Sequence, residues 1–221
     1  MSRALKISTL LSIFIILSTY TPKSNNSKSY IFPIQNIKIE NNGAIEKNEL
    51  KKKLKYLLGK SLMFIEQKKL NETIMKLDFI SNYKIKKIYP NSIKIIIFEE
   101  KPVAIYLEKQ NKHYISEKGK FIKYKKLSQF DNLPLVFGNN INFNNFFVDI
   151  KRINFPMNEV KSFHYYDIGR WDIILKNNKL IKLPNQSYVN SLKKYLILKD
   201  DKNFEKYKIF DYRIKNQLIL N

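Results

Sequence analysis

The chain has 221 residues, enough for one or two domains, and 44% of them are apolar, which excludes disorder throughout. Forty-one Lys plus Arg against nineteen Asp plus Glu give a formal charge of +22, which points to nucleic acid or an anionic membrane surface. The same sequence is crowded with Ile, Asn, Tyr and Phe and has only five Gly. That bias is what AT-rich coding produces, so a solvated Lys-rich surface is the plainer reading. Cysteine is absent, which excludes disulfides, zinc ribbons, iron–sulfur clusters and thiol nucleophiles.

Arg3 and Lys6 precede an uncharged run, ISTLLSIFIILSTY, over residues 7–20, and the next charge is Lys23. Its apolar part is shorter than the about 20 residues that span a bilayer comfortably and is close to the h-region of a signal peptide. A cleavage site needs small residues at its last and third-last positions. Tyr20 spoils one register and Pro22 the next, which favours an uncleaved signal anchor over residues 7–22. Residues 1–6 then form a minimal cytoplasmic tail and the polar residues 23–30 a linker.

The alternating stretch 31–39, marked by Ile34, Ile37 and Ile39, predicts a strand, with Asn42 and Gly43 as the turn after it. Over residues 46–58, Leu50, Leu54 and Leu57 recur at helical spacing while Lys51, Lys52, Lys53 and Lys55 take the wet side; Gly59 ends the helix. Leu70, Ile74 and Leu77 predict a second helix over 66–77. Tyr83 and Ile85 open another strand, and Pro90 and Asn91 turn it into a third. There Ile93, Ile95 and Ile97 share one face, Glu99 and Glu100 leave opposite faces, and Pro102 limits regular pairing. Strand, helix, helix, strand, strand is a layered α+β unit that buries one core.

Beyond Tyr106 the chain changes to short apolar runs divided by polar turns: HYISEKGKFIKY, LPLVFG, and RWDIILKNNKLIKLP with an Asn-Asn turn. This half reads as mostly antiparallel β with one or two helices. One helix is expected over 187–199, from Val189, Leu192, Tyr195 and Leu196. The Asn-rich GNNINFNNFF over 138–147 reads as a surface segment, and KIFDYRIKNQLIL closes the chain as a terminal strand over 209–220.

No catalytic constellation stands out. Gly59, Lys60 and Ser61 imitate the end of a phosphate-binding loop, but the motif requires glycine where Leu54 sits within an amphipathic helix, and the triplet ends a helix instead of preceding one. His113 and His164 are far apart and have no ligand pattern around them, which makes both ordinary strand or surface positions. Asp200 and Asp201 suit a polar loop. Basic charge interleaved with Tyr83 offers a weak nucleic-acid surface, but no recognised motif accompanies it, and attraction to anionic lipid headgroups is the better use of that charge.

Taken together, FPIQNIKIENN, GKSLMFIE and above all IYPNSIKIIIFEEKPVAIY resemble the POTRA domain of the FtsQ/DivIB family of bacterial cell-division proteins, with Glu99, Pro102 and Ala104 where that family tends to place Glu, Pro and Ala. The second half resembles the family's β domain. Arg170-Trp171 and Asp211-Tyr212-Arg213 are its sharpest matches, Tyr212 replacing the usual aliphatic residue. The resemblance implies an α+β protein with a membrane anchor, a POTRA domain over 31–106 and a β domain over 107–221. It implies no catalytic activity and no cofactor. It implies a location at the division septum, with the bulk of the chain outside the cytoplasmic membrane. The implied partners are an FtsB/FtsL pair, through which the protein connects to the septal peptidoglycan synthase, and an FtsK-type protein upstream. By position, Arg213 and Ile214 are the leading contacts and Lys215, Asn216 and Leu218 support them, through strand addition at the C-terminal edge. Core packing is the competing role for Ile214 and Leu218. The chain stops directly after this strand, which leaves out any further family tail that helps hold the partner. Two other classes compete: a chaperone-like POTRA protein of envelope assembly, which normally carries several such units and a barrel, and a basic nucleic-acid binder.

Overall fold

The computed structural model describes residues 3–19, 31–41, 43–139 and 142–221. Helix α1 (Arg3–Thr19) carries exposed apolar side chains around its circumference, among them Leu10, Phe14 and Leu17. No helix among the described residues is long and apolar enough to cross a membrane. The part of the expected anchor beyond Thr19, and the linker over 23–30, lie outside the described residues.

In the first folded unit, β1 (Asn36–Glu40) is followed by α2 (Lys47–Leu54), a 3-10 turn (Lys55–Leu57), α3 (Gln67–Met75), β2 (Ile80–Ile88) and β3 (Ser92–Glu99). The first strand starts later than its alternation suggests because residues 33–34 pair elsewhere: Pro33 bridges Ser61, and the Ile34 N–H donates to the Lys60 carbonyl at 2.9 Å. The sheet has the order β1-β3-β2, with β1 parallel and β2 antiparallel to the central β3. Ile93, Ile95 and Ile97 are buried in one cluster with Leu50, Leu54, Leu70 and Ile74, so the two helices cover a single face. Gly59 takes φ +77° after the 3-10 turn, the left-handed conformation of a helix-ending glycine, while its N–H donates outside the helix to the Ile34 carbonyl.

Glu99 accounts for the carboxylate at the end of this hairpin. Its oxygens accept from the N–H groups of Ala44 (2.9 Å) and Ile45 (3.2 Å) and from the side-chain amide of Asn41 (3.1 Å). Backbone donors that no regular element satisfies are thereby paired, and the loop between β1 and α2 is fastened to the far end of β3.

The second unit runs β4 (Pro102–Glu108), β5 (Asn111–Ser116), β6 (Phe121–Lys123), β7 (Leu135–Phe137), α4 (Phe143–Arg152), β8 (Val160–Tyr166), β9 (Arg170–Leu175), β10 (Leu180–Lys182), α5 (Tyr188–Leu198), β11 (Ile209–Asp211) and β12 (Ile219–Leu220). These strands form one nine-stranded sheet, ordered β12-β11-β10-β9-β8-β7-β4-β5-β6. The boundary expected after Tyr106 falls inside β4, which pairs with β5 and β7 of this sheet.

The Asn-rich segment is where the sequence reading goes wrong. From Phe143 it is helical, and Phe143, Phe146, Phe147 and Ile150 are buried at spacings of three and four residues. The two helices account for two of the sheet's three parallel pairings: α4 carries the chain from β7 to a parallel β8, and α5 from β10 to a parallel β11, while β4 and β7 also pair in parallel. The terminal strand expected over 209–220 is likewise two short strands, β11 and β12, folded into an antiparallel hairpin. Gly138 follows β7 at φ +87°, where a Cβ would lie 2.2 Å from the Tyr165 carbonyl oxygen, so LPLVFG needs its glycine.

The inner face of the sheet carries a register-matched apolar row, Val136, Phe163, Ile173, Ile181 and Phe210, packed in one core with the buried faces of α4 and α5. On the outer face at the β4–β6 end, Ile105, Tyr114 and Ile122 belong to the core of the first unit. Phe79 meets Tyr114 edge-on at 5.8 Å and stacks on Phe130 at 6.2 Å, joining the units through aromatic contacts.

Glu99→Ala is expected to destabilise the protein by about 1–3 kcal/mol, the cost of leaving charge-assisted bonds unmade. The midpoint of urea unfolding measures it, and an unchanged midpoint would show that the loop over 41–45 holds itself.

Candidate partner-binding edge

The sheet ends at β12, and its hydrogen bonds fix which groups face outward. Ile209 N–H donates to Asn221 O at 2.9 Å and Asn221 N–H donates to Ile209 O at 3.2 Å, a closely spaced antiparallel pair. Backbone direction alternates along such a strand, so the N–H and C=O of Leu220 point away from the sheet. Its side chain packs against the core of the second unit, leaving the backbone as the group on offer.

Between the two short strands the chain forms a surface hairpin carrying the residues singled out from sequence. Arg213 is tied to Asp211: its backbone N–H donates to Oδ1 at 3.0 Å, its Nε donates to the same carboxylate at 2.8 and 2.9 Å, and its Nη2 reaches Oδ2 at 2.5 Å. That clamp fixes the guanidinium at the surface in one orientation. Ile214 is 51% exposed, Lys215 is exposed, and Asn216 is exposed at φ +62°, a left-handed position that Asn tolerates. Leu218 is half-buried against the core. The two apolar candidates therefore part company, Ile214 open and Leu218 packed. Two grooves flank the hairpin: one of ≈ 660 Å³, lined among others by Arg213, Ile214, Lys215 and Asn216, and one of ≈ 230 Å³, lined by Ile197, Tyr212, Asn216 and Leu218 among others.

Register brings the two sharpest motifs of the second half together. Lys182 of β10 lies directly opposite Asp172 on one side and Asp211 on the other, and Asp172 in turn lies opposite His164. A charged row thus crosses the outer face of the sheet and leads to Ile219 on the edge strand. Arg170 lies over the Tyr166 ring at 4.5 Å and has its Nε 3.4 Å from Asp172, while Trp171 turns inward and stacks on Phe146 at 4.7 Å. The alternation of RWD already contains this split, but the row needs the strand partners, which sequence does not give. His164 stacks on Phe137 at 4.6 Å and shares a hydrogen bond with Ser162. Burial lowers its pKa against the pull of Asp172.

Burial has opposite outcomes for the two aspartates. The hydrogen bonds from the Arg213 side chain hold the Asp211 carboxyl below its ordinary 3.8. For Asp172 burial is the larger influence and pushes the carboxyl up, against the attraction of Arg170. Tyr212 fills the core with its ring, burial pushing its hydroxyl up to about 12.

A layered β-α-α-β-β unit followed by a mixed sheet with a short open edge defines a POTRA-plus-β-domain protein. Residues 32–100 match the POTRA domain, FtsQ-type, and residues 104–213 match the C-terminal domain of the cell division protein FtsQ/DivIB. The chain belongs to the FtsQ/DivIB family of cell-division proteins. It is 26% identical to the cell division protein FtsQ of Rickettsia felis over 94% of this chain and 83% of that one. It is 22% identical to FtsQ of Rhizobium meliloti over 73% of this chain and 53% of that one. Among solved structures, the major extracytoplasmic domain of DivIB from Geobacillus stearothermophilus covers 48% of this chain and 98% of its own, at 13% identity and a TM-score of 0.33, too low to inform the fold.

The aspartates give a pH signature. Stability from Asp211 is fully present above about pH 4 and is lost as pH falls through its lowered folded value. The buried Asp172 carboxylate costs stability at neutral pH, a cost relieved as pH falls through its raised value. At pH 7, Asp211→Asn is expected to lower the urea midpoint and Asp172→Asn to raise it. The Asp211→Asn deficit should shrink below pH 3.8, the ordinary value from which this carboxyl is lowered; a deficit independent of pH would refute the clamp.

Proposed function

We propose that this chain is a non-enzymatic scaffold of the division machinery. Its C-terminal edge would take up a strand from an FtsB-type partner of an FtsB/FtsL pair and so link early division proteins, an FtsK-type protein among them, to the septal peptidoglycan synthase. The observation that carries this reading is the outward backbone of Leu220 beside a fixed, exposed Arg213. An added strand gains main-chain hydrogen bonds from the first, and the second recognises an acidic side chain on the incoming strand. Ile214, Lys215 and Asn216 line the groove beside the edge, and Leu218 supports it from the core side.

The same proposal holds the protein in the cytoplasmic membrane by a single pass at the division septum, with both folded units on the extracytoplasmic side. Supporting it are the apolar side chains all around α1 and the uncharged sequence that continues to Tyr20 and ends only at Lys23. The 17 residues of α1 rise about 25 Å, somewhat less than the about 30 Å of a hydrocarbon core, and Lys6 and Tyr20 are suited to the two interfaces.

Strand addition and simple surface contact give different mutational results. Arg213→Glu is expected to weaken capture of an FtsB-type partner at least about tenfold and, because it also removes the clamp on Asp211, to lower the urea midpoint, so capture is compared at a temperature where the variant is still folded. Leu220→Pro removes the outward donor while keeping the Asn221 bonds to β11, and should weaken capture further than Leu220→Ala, which removes only the packed side chain. Equal losses for the two Leu220 variants in a pull-down would rule out backbone pairing, and capture unchanged by Arg213→Glu would rule out this edge.

A further inference from the structure

The first unit ends, on the side away from β4, in an apolar tip that its core does not use. β3 runs from Ser92 at this tip to Glu99 at the junction with β4, a distance of about 25 Å. At the tip, Ile31 (69% exposed), Phe64 (79%) and Tyr89 (55%) stand in solvent. They belong to one surface. Phe32 meets Tyr89 edge-on at 5.3 Å, Ser61 Oγ donates to Ile31 O at 3.0 Å, Leu62 N–H donates to Phe32 O at 2.9 Å, and Lys87 Nζ donates to Met63 O at 2.8 Å. A clustered apolar patch of this kind on a folded domain marks something that covers it.

Directly behind the tip lies a row of cations. The tip row of the sheet is Asn36, Ser92 and Ile88; two residues along, about 7 Å, Lys38, Lys94 and Lys86 stand directly opposite one another across the three strands. Like charges in register destabilise a sheet. Glu40 pairs with Lys94 at 2.5 Å, and Lys38 and Lys86 remain exposed on either side. Apolar side chains in front and ammonium groups one step behind match the order of acyl region and phosphate at an anionic bilayer surface.

We infer that this tip is a membrane-docking surface, seated on the anionic lipid of the bilayer that holds α1. The inference rests on the anchor reading of α1 and adds to it a second, peripheral contact. The covalent path supports the same occupant: the chain enters the folded part at Ile31, inside the patch, and the twelve peptide links from Thr19 allow at most about 40 Å of separation. Held so, the first unit stands with β3 leading away from the membrane and the second unit at its distal end.

Cysteine is absent, so single labels can be placed cleanly on the full chain. Phe64→Cys and, as a solvent reference, Ile197→Cys (77% exposed) would each carry an environment-sensitive fluorophore. Each labelled chain would be reconstituted in vesicles of phosphatidylethanolamine and phosphatidylglycerol. The expected result is a label at 64 quenched by headgroup-region nitroxide lipid and several-fold less accessible to iodide than the label at 197. Its shielding should weaken when phosphatidylcholine replaces both lipids or when Lys86→Glu is added. A label at 64 as open to iodide as that at 197 would overturn the docking surface. Shielding without lipid quenching would also overturn it and would assign the patch to a second copy of the chain. Alkaline extraction separates the two readings: chain that washes off the vesicles ends the anchor reading and the docking with it, whereas chain that stays with an exposed label at 64 ends the docking alone.

Discussion

Strand β4 is buried on both faces, and the arrangement of the molecule follows from that. Ala104 and Tyr106 lie in the core beneath α4 and α5, while Ile105 between them lies in the core of the first unit. Alternation is a rule for strands with one wet face; a strand covered twice is apolar at successive positions, as VAIY is. The consequence is that neither unit closes without the other at this point. Aromatic packing of Phe79, Tyr114 and Phe130 extends the seam, and Lys120 Nζ reaches back to the Ile80 carbonyl at 3.1 Å.

Away from the seam the same sheet has a different outer face. There the first unit no longer covers it, and the register sets His164, Asp172, Lys182 and Asp211 abreast. Neighbouring cations and burial act against each other on the two carboxylates, and the balance differs because Asp211 has a guanidinium wrapped around it while the Asp172 ion pair with Arg170 is longer. Arg213 is in this way both a stabilising partner of the fold and a fixed charge on the hairpin beside the edge.

The sequence was most legible where one periodicity served one core. Leu50, Leu54 and Leu57 announced a helix, and Ile93, Ile95 and Ile97 a strand face, because each contacts a single layer. It was least legible where composition masked period: five asparagines over 138–147 suggested a surface segment, although Phe143, Phe146, Phe147 and Ile150 repeat at helical spacing. At the candidate edge the sequence singles out Arg213 and Ile214 only by the motif they sit in, a role that stands as a proposal, and it does not give the shape that holds them. The break between β11 and β12, and with it the role of the Leu220 backbone, depends on pairing that no local pattern encodes.

The brevity of β12 sets a threshold for pairing. An edge two residues long gives an incoming strand a single outward-facing residue to bond, worth little beside the entropy of ordering that strand. Indiscriminate templating by exposed strands thereby gains little main-chain reward. On the proposed reading, a strand whose side chains also satisfy the flanking grooves and the fixed guanidinium would gain what main-chain bonds alone do not supply, so selectivity would lie in the side chains.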